Sequence, residues 1–386
     1  MLNIERLDGP EALEALEPEW EMISSMISPR TPFSGPLWNI LWWKYLREDS
    51  FSVRDEFYVL AIRDESHNLV AVAPLMRTLR PSIGPVRICE LQFFGADSFF
   101  TEIRGLVCLP ENQLKVVEAL VHYLNQRKKE WNWVQWHGLH YDSPAATWLR
   151  HTGLQPWRET EPNYYLILPE SWEEFKSKLS RNIKESLRKC YNSLKRDGYE
   201  FSFRVVAEPA EIPEALDLFF TLHSARAVAP VAVRHRNVFA PPRRREFLKE
   251  YAEKMAGRHC LRIFQLVIGD TVVATRIGFV LGDELYLYYS GYDPQWGKYS
   301  VMTTVVSESI KWAIEQGFKI VNLSIGTDVS KTRWKPSEIH FCDGAQVAPN
   351  LQSRVVFSLI RRICPIFWNN SLARNLLTGI VRRKGT

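Results

Sequence analysis

Residues 284–336 read ELYLYYSGYDPQWGKYSVMTTVVSESIKWAIEQGFKIVNLSIGTDVSKTRWKP, and this stretch decides the fold. Tyrosine and leucine dominate 285–292, a composition that is typical of a β-strand. The glycine- and proline-containing loop 291–299 follows, and Ser300 is suited to cap the N-terminus of a helix. Apolar residues recur along that helix at helical spacing, namely Met302, Val306, Ile310 and Ala313. A second strand, 318–325, and a second polar loop complete a strand–loop–helix–strand unit.

The loop before this helix is a candidate anion site. The first turn of a helix exposes backbone N–H groups and carries the positive end of the helix dipole, which favours a phosphate. Lys298 lies just before the expected cap and adds a full positive charge. Similar turns that bind nothing are equally common in α/β proteins, so both interpretations stay open from the loop alone.

The composition is that of an ordinary globular protein. With 386 residues the chain is long enough for two domains, and 46% hydrophobic residues can fill sizeable cores. A net charge of +5 permits an anionic partner without requiring nucleic acid. The sequence contains no Gly-x-Ser-x-Gly, Walker or dinucleotide-binding motif, so it gives no case for a hydrolase, an NTPase or a dehydrogenase.

Cysteine usage and the lack of export signals favour the cytoplasm. The six cysteines are scattered singly, without a CxxC pair or a zinc-ligand spacing, as expected of buried thiols in a reducing compartment. Segment 1–20 is acidic and has no apolar run, and the chain has no stretch of about 18 uninterrupted apolar residues. We therefore expect a cytoplasmic protein without a signal peptide, and we assign no metal.

An internal repeat predicts two domains. Residues 58–76 and 262–280 share one shape, in which two strands meet at an acidic turn. Residues 114–136 and 300–324 then share the order helix, aromatic residue, strand. The sequence therefore predicts a mixed α/β protein built from two copies of one unit. The expected divisions are an N-terminal domain at 1–168, a C-terminal domain at 169–350 and a tail at 351–386.

Two further predicted helices have unusual faces. The aromatic face of 36–46, formed by Trp38, Leu41, Trp42 and Tyr45, favours packing against a sheet over the wall of a ligand groove. Ser171 and Glu174 fit a capping box that opens a new unit. The basic helix 178–196 follows, with Arg181, Lys184, Arg188 and Lys195 on one face. That pattern favours a solvated face, and it is also suited to phosphates.

The order of elements, together with five short motifs, resembles a known family. The motifs are TPFSGPLWNILWW from Thr31, SWEEFKSKLSRNIKESLRKCYNSLKRDG from Ser171, Leu222-His223 with Arg226, YYSGYDP from Tyr288 and GTDVSKTRW from Gly326. Over nearly its whole length the chain resembles the CelD-like acetyltransferases associated with cellulose and exopolysaccharide synthesis. It is also similar to the FemAB-like aminoacyltransferases. Both are GNAT acyltransferases, so the resemblance implies tandem GNAT-like α/β domains.

The resemblance implies acyl-CoA as the co-substrate. Most GNAT enzymes bind the CoA pyrophosphate with a loop of the form Arg/Gln-x-x-Gly-x-Gly/Ala, and the matching residues here are Gln295, Gly297, Lys298 and Ser300. The glycines of that pattern are displaced or replaced, and glycine lets backbone N–H groups approach a phosphate closely. The FemAB-like relatives use aminoacyl-tRNA instead, so both donors stay open. The N-terminal copy has no such loop, and we expect it to be structural or to bind the acceptor.

Three residues are candidates for the chemistry, because acyl transfer needs an oriented acceptor and a base for its proton. Tyr289 lies on the strand where GNAT relatives hold the thioester, and strand alternation allows only one of Tyr288 and Tyr289 to face the cleft. Asp293 is a candidate base, although Asp-Pro is equally typical of a turn. His223 is a second candidate, although a lone helical histidine is more often structural.

The second polar loop supplies expected substrate contacts. In FemAB-like relatives a lysine of this loop contacts the substrate, and Lys331 is the position that resembles it. Arg333 and Trp334 lie beside it, and Arg226 comes from the Leu222-His223 motif. A solvated loop is the alternative, but a tryptophan among cations favours binding.

The leading hypothesis is an N- or O-acyltransferase that moves an acyl group, expected to be acetyl, from acyl-CoA to a cell-envelope or exopolysaccharide precursor. The second is a FemAB-like aminoacyltransferase, for which helix 178–196 would contact the tRNA. The third is a catalytically silent GNAT-like module that binds a glycan or an assembly partner.

The tail, 351–386, is strongly basic. It contains seven arginines and lysines and no aspartate or glutamate. Apolar clusters lie between the charges, a pattern that suits a segment on an anionic membrane surface. Docking of the apolar residues on the core is the alternative, and Pro365 is expected to break any single long helix.

Overall fold

A computed structural model describes residues 2–84, 87–97, 99–152, 155–156, 162–229 and 235–369. The helices are α1 (Glu11–Met26), α2 (Pro36–Leu46), α3 (Pro110–Gln126), α4 (Pro144–His151), α5 (Trp172–Lys178), α6 (Arg181–Arg196), α7 (Ile212–Val228), α8 (Pro242–Gly257), α9 (Val301–Glu315), α10 (Val329–Thr332) and α11 (Leu351–Asn369). The strands are β1 (Asn3–Arg6), β2 (Arg54–Phe57), β3 (Leu60–Arg63), β4 (Leu69–Ala73), β5 (Leu75–Arg80), β6 (Ile88–Phe93), β7 (Val107–Cys108), β8 (Trp133–His140), β9 (Gln155–Pro156), β10 (Asn163–Ile167), β11 (Phe201–Val206), β12 (Leu261–Ile268), β13 (Thr271–Leu281), β14 (Glu284–Tyr292), β15 (Ile320–Ile325), β16 (Ser337–Ile339) and β17 (Phe341–Val347).

The C-terminal half contains one seven-stranded sheet in the order β11-β12-β13-β14-β15-β10-β16. Strands β14 and β15 are parallel and pair only from Glu284 to Tyr286, opposite 320–322. Beyond that point they no longer pair, so a cleft opens between their C-terminal ends. Helix α9 connects the two strands, and its N-terminus therefore lies at the open end of this cleft.

The N-terminal half repeats this order over two sheets, β1-β3-β4-β7 and β2-β5-β6-β8-β17-β9. Pro74 lies between β4 and β5, where the chain leaves one sheet for the other. Proline cannot donate a backbone hydrogen bond and therefore interrupts a strand ladder. The parallel pair of this half is β6 and β8, and α3 precedes β8 as α9 precedes β15.

Each half donates one strand to the other. Strand β10 precedes the C-terminal helices, yet it pairs antiparallel with β15. Strand β17 follows them, yet it pairs antiparallel with β8. Each exchanged strand lies beside the second strand of a parallel pair, so the two positions are equivalent. The domain divisions at 168/169 and 350/351 stay a prediction. Across the first division, β10 completes the sheet of the C-terminal half, and β17 completes a sheet of the N-terminal half.

This architecture confirms the predicted fold class, a mixed α/β protein with two GNAT-like units of the same strand order. Ser171 caps α5 as expected, since its hydroxyl accepts a hydrogen bond from the Glu174 N–H at 3.2 Å. Ser300 precedes α9 but makes no side-chain cap, because its backbone is left-handed, with φ 56°. Helix α11 runs through Pro365, so the expected break there is wrong. Proline removes one helical hydrogen bond and can kink a helix without ending it.

Buried apolar residues form three main clusters. One fills the N-terminal half and one the C-terminal half. The third joins α1 and α2 to α7, α8 and the face of β14, so it lies between the halves. Trp38 illustrates this contact, since its ring packs against Phe100 at 5.4 Å and Phe247 of α8 at 4.7 Å between centroids. The aromatic face of α2 is therefore buried, and it binds the two halves together.

The cleft of the N-terminal half is closed at Gly105 by its own chain. Arg104 reaches Gln92 of β6 at 3.5 Å and Gln135 of β8 at 3.3 Å, so its side chain bridges the two strands. A Cβ added to Gly105, whose φ is 153°, would lie 2.2 Å from the carbonyl oxygen of His137. Only glycine allows this backbone contact. A pocket of about 340 Å³ remains beside this contact, lined among others by Gly105, Gly138 and His140.

Gly105→Ala should lower the free energy of unfolding by about 1–3 kcal/mol, because the added methyl group overpacks a backbone contact that cannot move freely. The measurement is the urea midpoint of the variant against the unmodified chain. Gly257→Ala is the matched control, since a Cβ there meets no atom within 4 Å. Equal midpoints for all three proteins would contradict the closed N-terminal cleft.

Candidate functional site

Three tyrosines of β14 hold one segment of the N-terminal half, 99–102. The hydroxyls of Tyr286, Tyr288 and Tyr289 donate hydrogen bonds, respectively, to the Glu102 carboxylate and to the backbone carbonyls of Phe100 and Phe99. A β-bulge places both Tyr288 and Tyr289 opposite Ile277 of β13. Because a bulge breaks strand alternation, both side chains reach the same segment. Both tyrosines contact segment 99–102, and the expectation that only one of them faces the cleft stays a prediction.

Segment 99–102 takes its shape from Asp97. The Asp97 carboxylate accepts hydrogen bonds from the backbone N–H groups of Phe100 at 2.9 Å and Thr101 at 2.7 Å. It also accepts one from the indole of Trp42 on α2 at 2.6 Å. The N-terminal half thus fixes the segment, and β14 of the C-terminal half binds it.

Glu102 lies where β14 and β15 separate. Its carboxylate accepts the Tyr286 hydroxyl of β14, and the backbone N–H of Ile325 on β15 also stabilises it. The residue is partly exposed as a whole, but its carboxylate is enclosed by these groups. Burial raises the pKa of Glu102, and the positive charges of Lys331 and Arg276 offset only part of this effect. An enclosed carboxylate of raised pKa in a cleft is typical of a general base.

Two buried arginines face the same cleft. Arg276 of β13 donates to the Leu287 carbonyl at 3.2 Å, and burial lowers its pKa to about 10. Arg226 of α7 donates to the Ser290 hydroxyl at 2.8 Å, and burial lowers its pKa as well. The Nε atoms of both arginines have no hydrogen-bond partner in the part of the chain that the structure describes. Buried N–H groups of this kind normally have partners, so these two suit an oxygen of a bound substrate.

Lys331 and Asp328 of the second loop complete the charged groups. The Lys331 ammonium donates to the Ile325 carbonyl and lies 3.8 Å from the Asp328 carboxylate. Burial raises the pKa of Asp328, but a hydrogen bond from Ser330 and the charges of Lys331 and Arg276 outweigh it and lower the pKa overall. We use the name cleft cluster for three cations and two carboxylates, namely Arg226, Arg276, Lys331, Asp328 and Glu102.

The side chains of the other two predicted catalytic residues, His223 and Asp293, form hydrogen bonds with the backbone. One ring nitrogen of His223, Nδ1, lies 2.9 Å from the Ser290 carbonyl, and Nε2 lies 3.4 Å from the Val238 N–H. Burial lowers the pKa of His223 to about 4. The Asp293 carboxylate accepts the Gln295 N–H at 3.0 Å and so shapes the turn after β14. These contacts favour the structural interpretation of His223 and the turn interpretation of Asp293.

Two of the residues predicted to bind substrate lie away from the cleft cluster. Trp334 is 2% exposed and donates to the Ser330 carbonyl at 2.9 Å, so packing explains a tryptophan in this loop. Arg333 donates to Thr303 in the first turn of α9 at 2.9 Å and to Ser186 of α6 at 3.0 Å. It therefore lies beneath the N-terminus of α9. Of the predicted substrate contacts, Arg226 and Lys331 belong to the cleft cluster.

The predicted donor loop forms a short 3₁₀ turn, Pro294–Tyr299, on the surface. Its members Gln295, Gly297, Lys298 and Ser300 are all exposed. Ser300 adopts the left-handed conformation at the position where the GNAT pattern has its last glycine or alanine. The backbone N–H groups of Val301 and Met302 make no hydrogen bond to any described residue. The loop thus presents free donors at a helix N-terminus despite its missing glycine.

A basic groove of about 550 Å³ lies between this turn and α6. We name it the donor groove; its charged residues are Arg188, Lys189, Arg196, Lys298, Glu185 and Asp197. Four cations against two carboxylates give it a positive balance. Of the basic face that the sequence predicts on α6, Arg188 lines this groove beside the predicted donor loop, and Lys189 and Arg196 supply the other two cations of the helix.

Sequence reasoning missed Glu102, Arg276 and Asp328. Arg276 carried a usable signal, since it is a charge inside the apolar strand VVATRIGFV. Glu102 carried little, because it lies in a link of the other half and reaches the cleft only through tertiary structure. Across the described residues, no group of three or more histidines, cysteines, aspartates or glutamates could hold a metal.

Among the described residues, no helix is both long and apolar enough to cross a membrane. By sequence, the family model described as an acetyltransferase (GNAT) domain matches residues 181–335. No curated protein matches the chain. The family match covers α6 to α10 and therefore includes the donor groove, Arg226, Arg276, Asp328 and Lys331.

By structure, the chain is similar to FemX, with 9% identity, a TM-score of 0.60 and coverage of 93% of this chain and 100% of that one. It is also similar to the C-terminal domain (DUF2156) of an Agrobacterium fabrum protein assigned as a lysylphosphatidylglycerol synthetase. That match has 12% identity, a TM-score of 0.50 and coverage of 90% and 96%. At these identities the likeness concerns the fold alone. The chain thus carries a segment that matches the GNAT acetyltransferase domain, within a doubled fold that resembles FemX.

Proposed function

We propose that the chain is an acyltransferase whose reaction takes place at the cleft cluster. The observation that carries the proposal is the position of Glu102, an enclosed carboxylate of raised pKa between the two strands that separate. Beside it lie the buried Nε atoms of Arg226 and Arg276, for which the described part of the chain offers no hydrogen-bond partner. A base beside donors for a carbonyl oxygen is the arrangement that acyl transfer requires.

Glu102 is the proposed general base. An amine or hydroxyl acceptor gives its proton to the Glu102 carboxylate as its nitrogen or oxygen bonds to the acyl carbon. The bond from that carbon to the donor's leaving group then breaks, and the leaving group departs with the electron pair. The Tyr286 hydroxyl orients the carboxylate, because it holds one of the Glu102 oxygens.

The cations of the cleft cluster are proposed to bind the substrate and to polarise its acyl carbonyl group. Arg226 and Arg276 each have an unused N–H group, and charge-assisted hydrogen bonds are the stronger ones. Beyond Tyr286 the edge of β14 no longer pairs with β15, which leaves backbone groups of β14 directed at the cleft. Negative charge that develops on the acyl oxygen would be stabilised by such fixed donors.

Acyl-CoA is the proposed donor. The free N–H groups of Val301 and Met302, together with Lys298, suit a pyrophosphate at the N-terminus of α9. The acyl end would then enter the cleft between β14 and β15. The proposed acceptor is an amine or hydroxyl of a cell-envelope or exopolysaccharide precursor, with acetyl as the acyl group; the family resemblance supports this choice.

Aminoacyl-tRNA is the second candidate donor. The exposed basic residues Arg188 and Lys189 of α6 line the donor groove and favour a polyanion larger than CoA. The motif resemblance to the FemAB-like enzymes, which use aminoacyl-tRNA, supports the same alternative. Titration with acetyl-CoA and with tRNA separates the two donors, and a chain that binds neither would support the silent binding module.

Glu102→Gln should lower kcat by about 100-fold or more, because the acceptor's proton loses its base while the hydrogen bond from Tyr286 survives. The measurement is thiol release from acetyl-CoA with a panel of amino-sugar and sugar acceptors. The pH profile adds a second readout. In the unmodified chain kcat/KM should rise with pH through the raised pKa of Glu102, above the ordinary 4.5, and the variant should lose this limb.

Glu111→Gln, an exposed glutamate on α3, is the matched control and should keep the parent rate and profile. If Glu102→Gln retains the parent kcat and the acid limb, the general base is another group.

Lys298→Ala should weaken acetyl-CoA binding about three- to tenfold, because one positive charge at the helix N-terminus is lost. Calorimetric titration gives the dissociation constant. Lys311→Ala, a lysine further along the same helix, should leave it unchanged. A dissociation constant that is equal in all three proteins would place the donor outside the donor groove.

A further inference from the structure

Helix α11 has two apolar faces, and only one of them is docked. Its inner face is fixed by Ser353, which accepts a hydrogen bond from the Asn132 side chain at 2.9 Å, and by Phe357. Phe357 is 4% exposed and packs edge-to-face on Trp133 of β8, with 5.6 Å between ring centroids. The orientation of the helix on the N-terminal half is therefore set by specific contacts.

The opposite face presents an apolar stripe. Leu351, Val355 and Leu359 recur every four residues and are 78%, 48% and 50% exposed. At 100° per residue these positions lie within one narrow sector, directed away from Phe357. Exposed apolar side chains in a row on a fixed helix are unusual for a surface that meets only water.

Further exposed apolar residues lie at the same end of the sheet. Ile88 packs in the cluster that receives Phe357, and it begins the strand after the turn that carries Ile83. Ile83 is 63% exposed, and Phe51 in the neighbouring loop is 75% exposed. The two loops are joined, since the Ser82 hydroxyl donates to the Phe51 carbonyl at 2.7 Å. Exposed apolar side chains therefore lie on these two loops as well as on the helix.

The charge of this region identifies the partner. Arg354 on α11 is exposed, and so are Arg47, Arg54 and Arg87 beside the two loops, against the exposed Glu48 and Asp49. Residues 351–386 carry seven arginines and lysines and no acidic residue. A cationic amphipathic helix with apolar neighbours fits a bilayer surface, where anionic headgroups lie just above apolar acyl chains.

We propose that α11 and the neighbouring loops bind the surface of an anionic bilayer, with Leu351, Val355 and Leu359 inserted at the level of the headgroups. The helix lies flat on the surface and does not cross it, because its inner face is already docked on the protein. This inference is independent of the proposed reaction, and its test uses no substrate.

The test is sedimentation of the full chain with vesicles of phosphatidylglycerol and phosphatidylcholine, and with phosphatidylcholine vesicles alone. We expect binding to the anionic vesicles, weakened by salt, and little binding to the neutral ones. Val355→Ser with Leu359→Ser should lower the partition coefficient about tenfold or more, because two apolar contacts are lost. Phe51→Ser with Ile83→Ser should lower it in the same direction.

Gln352→Ser with Ser358→Gln is the matched control, since both positions are exposed and polar on the same helix. It should bind as the unmodified chain does. Absence of binding to anionic vesicles, or equal binding by the Val355/Leu359 variant, would overturn the proposal. A dimer in solution that the Val355/Leu359 substitutions dissociate would overturn it as well, in favour of a second copy as the occupant.

Discussion

The hydrogen bonds from three β14 tyrosines to segment 99–102 are the contact on which the site depends. They cross from the C-terminal half to the N-terminal half and place Glu102 between β14 and β15. Asp97 has already fixed the segment, so docking costs little further backbone entropy. The carboxylate and its cleft thus come from different halves. An arrangement of this kind remains intact only while the halves keep their relative position, which the shared apolar cluster around α2 and α8 ensures.

The cleft cluster places opposite charges close together, which lowers the free-energy cost of burying each of them. Burial disfavours the charged forms of Glu102 and Arg276 alike, and each lowers the cost of the other. Three cations against two carboxylates leave a positive excess, which would attract an anionic or carbonyl-bearing substrate. The Nε atoms of Arg226 and Arg276, which have no hydrogen-bond partner among the described residues, are suited to the same kind of substrate.

Much of the fold could be predicted from the sequence, because strands and helices follow local composition and periodicity. The repeat of 58–76 in 262–280 indicated two similar units, and the structure has them. The exchange of β10 and β17 could not be predicted from the sequence, because the residues of these strands are compatible with pairing in either sheet. Lys331 and Arg226 were found through motifs. Glu102 was not found, because its role depends on a tertiary contact. The bulge at Tyr288 and Tyr289 interrupts the regular strand alternation that the sequence argument assumed.

The strand exchange has a consequence for synthesis on the ribosome. The sheet of the N-terminal half lacks its strand next to β8 until residues 341–347 have emerged, some 200 residues after β8 itself. Until then the edge of β8 is unpaired, and an unpaired edge is a template for unwanted pairing. Contacts between residues some 200 positions apart also close late. The N-terminal half therefore waits for this strand while the whole C-terminal half is synthesised, a period in which a chaperone that covers β8 would protect the nascent chain.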